Sequence, residues 1–155
     1  MTVSELLALL VAASGRKVTV VGDLMLDEYI YGTVTRISPE APVPVLEADL
    51  ERRRYVPGGA ANVAANLRAL GLVVELLGVV GDDRAGERLR EMLASLGVGV
   101  GRLVTDARRP TTLKTRIVVH SQQVVRVDHE SKDPLGADVC SAIWNGLAGA
   151  LDDGS

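Results

Sequence analysis

Two glycines, Gly58 and Gly59, stand directly before Ala60-Ala61-Asn62-Val63-Ala64-Ala65-Asn66, a run of good helix formers. At a helix start the first N–H groups lack internal partners, and the macrodipole favours anionic or oxygen-rich groups. Bare backbone lets a ligand approach those groups closely, and Asn62 offers both donor and acceptor atoms. Such chemistry suits a polyhydroxylated ligand. The same residues read equally well as a packing device, small side chains that let a helix lie close on a sheet. Asn66, four residues after Asn62, shares its helix face and fits either reading. A second set lies in TLKTRIVV, where strand alternation puts Thr112, Lys114 and Arg116 on one face and Leu113, Thr115 and Ile117 on the other.

Other candidates read as structure. Asp82 and Asp83, in a tight turn before a helical pattern, suit turn and capping roles better than metal ligation. His120, His129 and the single Cys140 have no cluster around them resembling a zinc site, and one cysteine forms no internal disulfide. Arg52-Arg53-Arg54 reads as a solvated run, because three consecutive residues on an extended chain cannot all point at one site.

Elements must hold these residues in place. Periodicity and punctuation predict strands over 17–21, 73–80 and 98–104, with helices over 59–70, closed by Gly71, and 84–96, closed by Gly97. That alternation implies an α/β domain built on a parallel sheet with crossover helices. Two regions interrupt it, 29–55 with its proline-spaced SPEAPVP and 111–128 with the turn-like HSQQ, and both read as strands outside the parallel core. A further helix is expected over 3–14, begun by a Thr2/Glu5 capping box and packed on the domain. Near the other end, Ile143, Trp144, Leu147, Ala148 and Leu151 fall at helical spacing.

Composition limits the answer. The 155 residues suit one domain, and 47% hydrophobic residues without a single phenylalanine imply a core of Val, Leu, Ile and Ala. A net charge of -3 argues against a polyanion-binding surface, so nucleic acid is not expected as a partner. The apolar stretch 6–13 is too short to span a bilayer and has no basic residue before it, so neither a membrane anchor nor a signal peptide is expected. A reducing, cytoplasmic setting fits.

The spacing Gly58-Gly59-Ala60-x-Asn62-x-Ala64, followed by Gly71 and Gly81, resembles the first diagnostic pattern of the ribokinase-like, or PfkB, carbohydrate kinases. VGDLMLDEY and VGDDRAGERL extend the likeness. YGTVTRISPEAPVPV, PGGAANVAANLRALG and TTLKTRIVVHSQQVVRVD resemble one branch more closely, the D-glycero-β-D-manno-heptose 7-phosphate kinases, over nearly the whole chain. The resemblance implies a ribokinase-like parallel sheet with flanking helices and a small β lid formed by approximately 29–55 and 111–128. It further implies ATP with Mg2+ as phosphoryl donor, transfer to the anomeric hydroxyl to give the 1,7-bisphosphate on the route to ADP-heptose and lipopolysaccharide, and a homodimer formed through the lid strands.

Carried over by position, Asp27 matches the family's sugar-binding aspartate, and a carboxylate can accept charge-assisted hydrogen bonds from two neighbouring hydroxyls. The plain alternative is a carboxylate solvating a loop. Gly58, Gly59 and Asn62 carry over with it as substrate-binding positions, while Lys114 and Arg116 on the lid, and Arg36, are candidates for the 7-phosphate. A solvated strand face that discourages edge pairing is the competing reading of Lys114 and Arg116.

The family's catalytic run, Asp-Thr-x-Gly-Ala-Gly-Asp, supplies a general base and an anion hole and is absent from this sequence; Asp133-Pro134-Leu135-Gly136-Ala137-Asp138 lacks its Thr and second Gly. Residues 1–155 are therefore expected to be the sugar-binding N-terminal half of the kinase fold. No catalytic residue and no tight nucleotide or metal site is expected within it, and the stripe of Ile143 to Leu151 should lie partly uncovered. A non-catalytic sugar-phosphate-binding module, a dimerisation fragment, or a PfkB-type kinase for another sugar are the alternatives, and the closing residues 151–155 do not separate them.

Overall fold

The computed structural model describes residues 1–152; Asp153, Gly154 and Ser155 of the expected domain lie outside the described residues. After helix α1 (Val3–Ala13) come strands β1 (Lys17–Val21), β2 (Leu24–Ile37) and β3 (Pro44–Gly59). Next are α2 (Ala60–Ala69), β4 (Val73–Val80), α3 (Arg84–Ser95), β5 (Leu103–Thr105), β6 (Thr112–Val119), β7 (Gln122–His129) and α4 (Ala137–Asp152). β1, β4 and β5 make a parallel sheet in the order β1-β4-β5, and the remaining strands make a second sheet in the order β3-β2-β6-β7.

The parallel sheet follows from the sequence. β4, VVELLGVV, is apolar almost throughout because both its faces are covered, and Val74, Leu76, Leu77 and Val80 are buried. Helix α2 buries Ala61 and Ala64, and α3 buries Leu89 and Leu93, in one cluster with Leu24, Leu26 and Val98. The expected strand over 98–104 shrinks to three residues, preceded by a single bridge between Gly99 and Glu75. Glycines at 99 and 101 remove the side chains that strand packing would use.

The second sheet grows out of the first. β2 and β3 form an antiparallel hairpin, β6 runs parallel to β2, and β7 returns antiparallel to β6. The strands run further inward than 29–55 and 111–128: β2 begins at Leu24, and Leu24 and Leu26 belong to the main core. Glu28 is buried on that same side, where it accepts from the Thr115 hydroxyl at 2.6 Å and pairs with Arg53 at 3.2 Å. A buried carboxylate persists only when paired and hydrogen-bonded in this way.

Two helices depart from expectation. α1 forms with its capping box but buries no residue, and Leu6, Leu7, Leu9 and Val11 are exposed. Its sequence is apolar almost all round rather than in one stripe, so contact through Leu10 and Ala13 leaves the other faces in solvent. α4 packs on β4 through Val139, Ile143, Gly146 and Leu147, Gly146 lying close to Leu77. Trp144 and Leu151, at 69% and 63% exposure, and Ala148 fall on its outer flank, so the apolar stripe is split between sheet and solvent.

Asp83 caps α3 as its position suggests. Its Oδ1 accepts from the Gly86 N–H and its Oδ2 from the Thr111 N–H, both at 2.8 Å, so one carboxylate fixes the helix start and the entry to β6. Burial pushes the Asp83 carboxyl up, but those N–H groups outweigh it and hold the group below its ordinary value. A depressed folded-state value contributes stability above the unfolded value, about 4, that is lost as pH falls through the folded one. Asp83→Ala is expected to cost about 1–2 kcal/mol at neutral pH. Urea unfolding at several pH values checks this: the variant's deficit should shrink as pH falls below about 4.

Candidate functional site

Strand pairing gathers the sequence candidates into rows. Gly58, Met25 and Thr112 lie side by side; Val56, Asp27, Lys114 and Asp128 form the next row; Arg54, Tyr29, Arg116 and Arg126 form the third. Residues in register across a sheet share a face, so Asp27, Lys114 and Arg116 stand together on the side of β2 opposite the core. Asp27 therefore sits within a strand rather than in a loop after one.

Each glycine of the pair has a structural task. A Cβ on Gly58 would lie 2.6 Å from Met25 Cγ and 2.7 Å from Asp27 Oδ2, so bare backbone here lets the Asp27 carboxylate lie against β3. Gly59 is the N-cap of α2 with φ at 57°, and a Cβ there would meet the Asp23 carbonyl oxygen at 2.5 Å. That same carbonyl accepts from the Ala60 N–H at 2.9 Å. Asn62, on the first turn of α2, is exposed and accepts from the Asn66 side chain at 3.4 Å.

Every cation that the sequence places on β6 is already paired. Arg116 Nη1 donates to Asp27 Oδ1 at 2.5 Å, and its guanidinium lies 5.4 Å from the Tyr29 ring centre. Lys114 Nζ lies 3.2 Å from both Asp128 and Glu130, and Arg126 holds Asp128 through two bonds of 2.8 and 3.0 Å. Burial alone would push the Lys114 ammonium down, but Glu130 and Asp128 outweigh it and raise it above its ordinary value. The Arg126 guanidinium, opposed by burial and joined by Lys114, holds Asp128 below the usual carboxylate range. Asp27 and Arg116 keep side-chain exposures of only 16% and 19%, so their pairing is partly shielded from solvent. Arg36 is not brought to this group: it is exposed near the far end of β2, nine residues beyond Asp27 and so roughly 30 Å along the strand.

A cleft of about 560 Å³ adjoins the charged face, bounded by Asp23, Met25, Gly78, Thr112, Lys114 and Glu130. Its floor is the C-terminal ends of β1 and β4, the position where open α/β sheets bind ligands. Residues 130–135 form one wall, tied down by Arg109, which donates to the Ser131 and Asp133 carbonyls at 3.3 and 3.4 Å. Arg108 bonds both Asp106 and Asp138, joining the loop after β5 to the start of α4. The segment from Asp133 to Asp138 thus serves as cleft wall and helix entry. Among the described residues no three His, Cys, Asp or Glu side chains gather as a metal site.

Sequence reasoning missed Asp128, Glu130 and Arg126 as partners of the β6 cations, and Tyr29 beneath Arg116. The alternation in VVRVD was a usable signal for Arg126 and Asp128; the pairing of β6 between β2 and β7 had none.

Residues 16–140 match the pfkB family carbohydrate kinases. This chain belongs to that family. Among curated relatives, the "Bifunctional protein HldE" of Helicobacter hepaticus is 48% identical over 137 residues, 88% of this chain and 28% of the relative. The protein of the same description from Azorhizobium caulinodans is 54% identical over 114 residues, 73% of this chain and 23% of the relative. The chain thus spans less than a third of either. Among solved pfkB-like folds, a ribokinase from Cryptococcus neoformans in complex with ADP aligns with a TM-score of 0.56 at 26% identity, covering 80% of this chain and 38% of that one. A putative sugar kinase from Clostridium perfringens aligns at 0.64 over 84% of this chain and 40% of that one, at 15% identity, a likeness of fold. The fold is that of the ribokinase-like α/β proteins. No helix among the described residues is long and apolar enough to cross a membrane.

Proposed function

We propose that this chain carries the sugar-binding face of a kinase that phosphorylates D-glycero-β-D-manno-heptose 7-phosphate at its anomeric hydroxyl, giving the 1,7-bisphosphate for ADP-heptose synthesis. The observation that carries the reading is the Asp27–Arg116 pair, set on a shielded strand face beside a cleft at the C-terminal edge of the sheet. Arg116 holds the Asp27 carboxylate in a fixed orientation, and Asp27 then accepts hydrogen bonds from neighbouring sugar hydroxyls. Gly58 gives that carboxylate its room, while Gly59 and Asn62 set the edge of α2 toward the ligand. ATP and Mg2+ would supply the phosphoryl group and neutralise its charge. The described residues offer no carboxylate cluster fitting the metal.

Calorimetric titration of the chain with heptose 7-phosphate tests this reading. Saturable binding, stronger than to fructose 6-phosphate, is the expected result; binding of fructose 6-phosphate alone would favour a kinase for another sugar. No heat with either would favour a dimerisation fragment. One observation supports self-association in its own right: β7 is exposed along its length, with Val124, Val125 and Val127 in solvent at the sheet edge. In this proposal two copies pair through their lid strands, which sedimentation at several concentrations would show as a mass that rises toward twice that of the chain.

A further inference from the structure

Alternation along β3 divides the three consecutive arginines. Arg53 turns to the core side and pairs with Glu28, and Arg52 lies over the Tyr31 ring at 5.2 Å. Arg54 is in register with Tyr29, the residue beneath Arg116, and therefore stands on the face of Asp27. Asp27 is in register with Val56, so Arg54 is its diagonal neighbour, roughly 7–8 Å away between strands.

The charges of that face close on themselves, except for Arg52, which lies over the Tyr31 ring beyond the irregularity in the pairing, and Arg54. Arg116 is engaged by Asp27, Lys114 by Asp128 and Glu130, and Arg126 by Asp128, three cations against three carboxylates. Arg54 is exposed and has no carboxylate partner among the described residues. A phosphate monoester arriving at Lys114 or Arg116 must compete with carboxylates already in place, whereas at Arg54 it meets an unengaged fork of N–H donors matched to its oxygens.

We propose that Arg54 receives the phosphate of the sugar phosphate and sets the preference for a phosphorylated over a free sugar, while Arg116 is a positioning residue that holds Asp27. The proposal rests on the sugar-kinase reading above and deepens it. It also places the anionic group of the ligand one diagonal step from the carboxylate that binds its hydroxyls, within the span of a single sugar phosphate.

Titration of the chain and its variants with heptose 7-phosphate and with unphosphorylated heptose separates the roles. Arg54→Gln should weaken heptose 7-phosphate binding by about tenfold or more, the loss of a charge-assisted bond, and bring the two sugars toward equal affinity. Arg54→Lys should retain part of the preference. Arg116→Gln should weaken both sugars by a similar factor and leave their ratio unchanged. A preference that survives in Arg54→Gln, or one that disappears in Arg116→Gln, would overturn the assignment. Equal binding of both sugars by the unaltered chain would overturn it while sparing the sugar site. Binding of neither would overturn the sugar site itself, and this assignment with it.

Discussion

No ATP-dependent bisphosphate is expected from the 155-residue chain incubated with heptose 7-phosphate, ATP and magnesium. In the kinases that this sequence resembles, an aspartate at the end of a Gly-Ala-Gly-Asp run takes the proton of the attacking hydroxyl, and the N–H groups around it bind the developing charge. None of the 155 residues forms that run. Of Asp133 and Asp138, the nearest approach to it in sequence, the first lines the cleft and the second, in the first turn of α4, is bound by Arg108. A positioned general base is worth about 10²–10⁴ in rate and a single anion-hole donor about 10²–10³, so losing both removes roughly four to seven powers of ten. Bisphosphate above a no-protein control, from material free of host kinase, would show that another group in this chain does the chemistry.

Asp27→Ala carries the next largest effect. Removing the carboxylate should weaken heptose 7-phosphate binding by about 1.5–3 kcal/mol, on the order of 10- to 150-fold, the range for a hydrogen bond to a charged group. The substitution also strands Arg116, whose side chain is four-fifths buried and left with Tyr29 and the Lys114 carbonyl. Asp27→Asn separates the two contributions, since it keeps the shape and loses the charge. Calorimetry at constant ionic strength reads both variants. Unchanged affinity in Asp27→Ala would reduce the Asp27–Arg116 pair to a strand-to-strand tie.

The parallel core was legible because its signals are local. β1 and β4 lie over the residues their apolar runs mark, and Asp83 caps α3 where a turn carboxylate should. The face of Lys114 and Arg116 was legible from alternation alone. What they touch was not: Asp27 meets Arg116 across 89 positions of sequence, and only the placing of β6 between β2 and β7 makes them neighbours. Charge type suggested a phosphate for both cations, yet a cation's availability depends on carboxylates from other strands. Arg36 stands far from Asp27 because β2 runs on unbroken for the nine positions between them. α1 has the composition of a buried helix, but burial needs a neighbour surface, which no periodicity within α1 can report.

β2 is one unbroken strand from Leu24, sealed in the core, to Ile37 at the hairpin tip. Its pairing with β3 slips between Tyr29 and Tyr31 and again between Val34 and Arg36. Such irregularities are where a strand bends and twists most readily. Both lie beyond Asp27, on the side away from the core. Mechanically the hairpin is a cantilever whose clamp runs from Leu24 to Gly32, where β6 pairs with β2, so that only the slip between Val34 and Arg36 lies in the free arm. Deflection of the tip is therefore taken up outboard of Gly32, and Asp27, five positions inboard, stays in the stationary frame of the sheet.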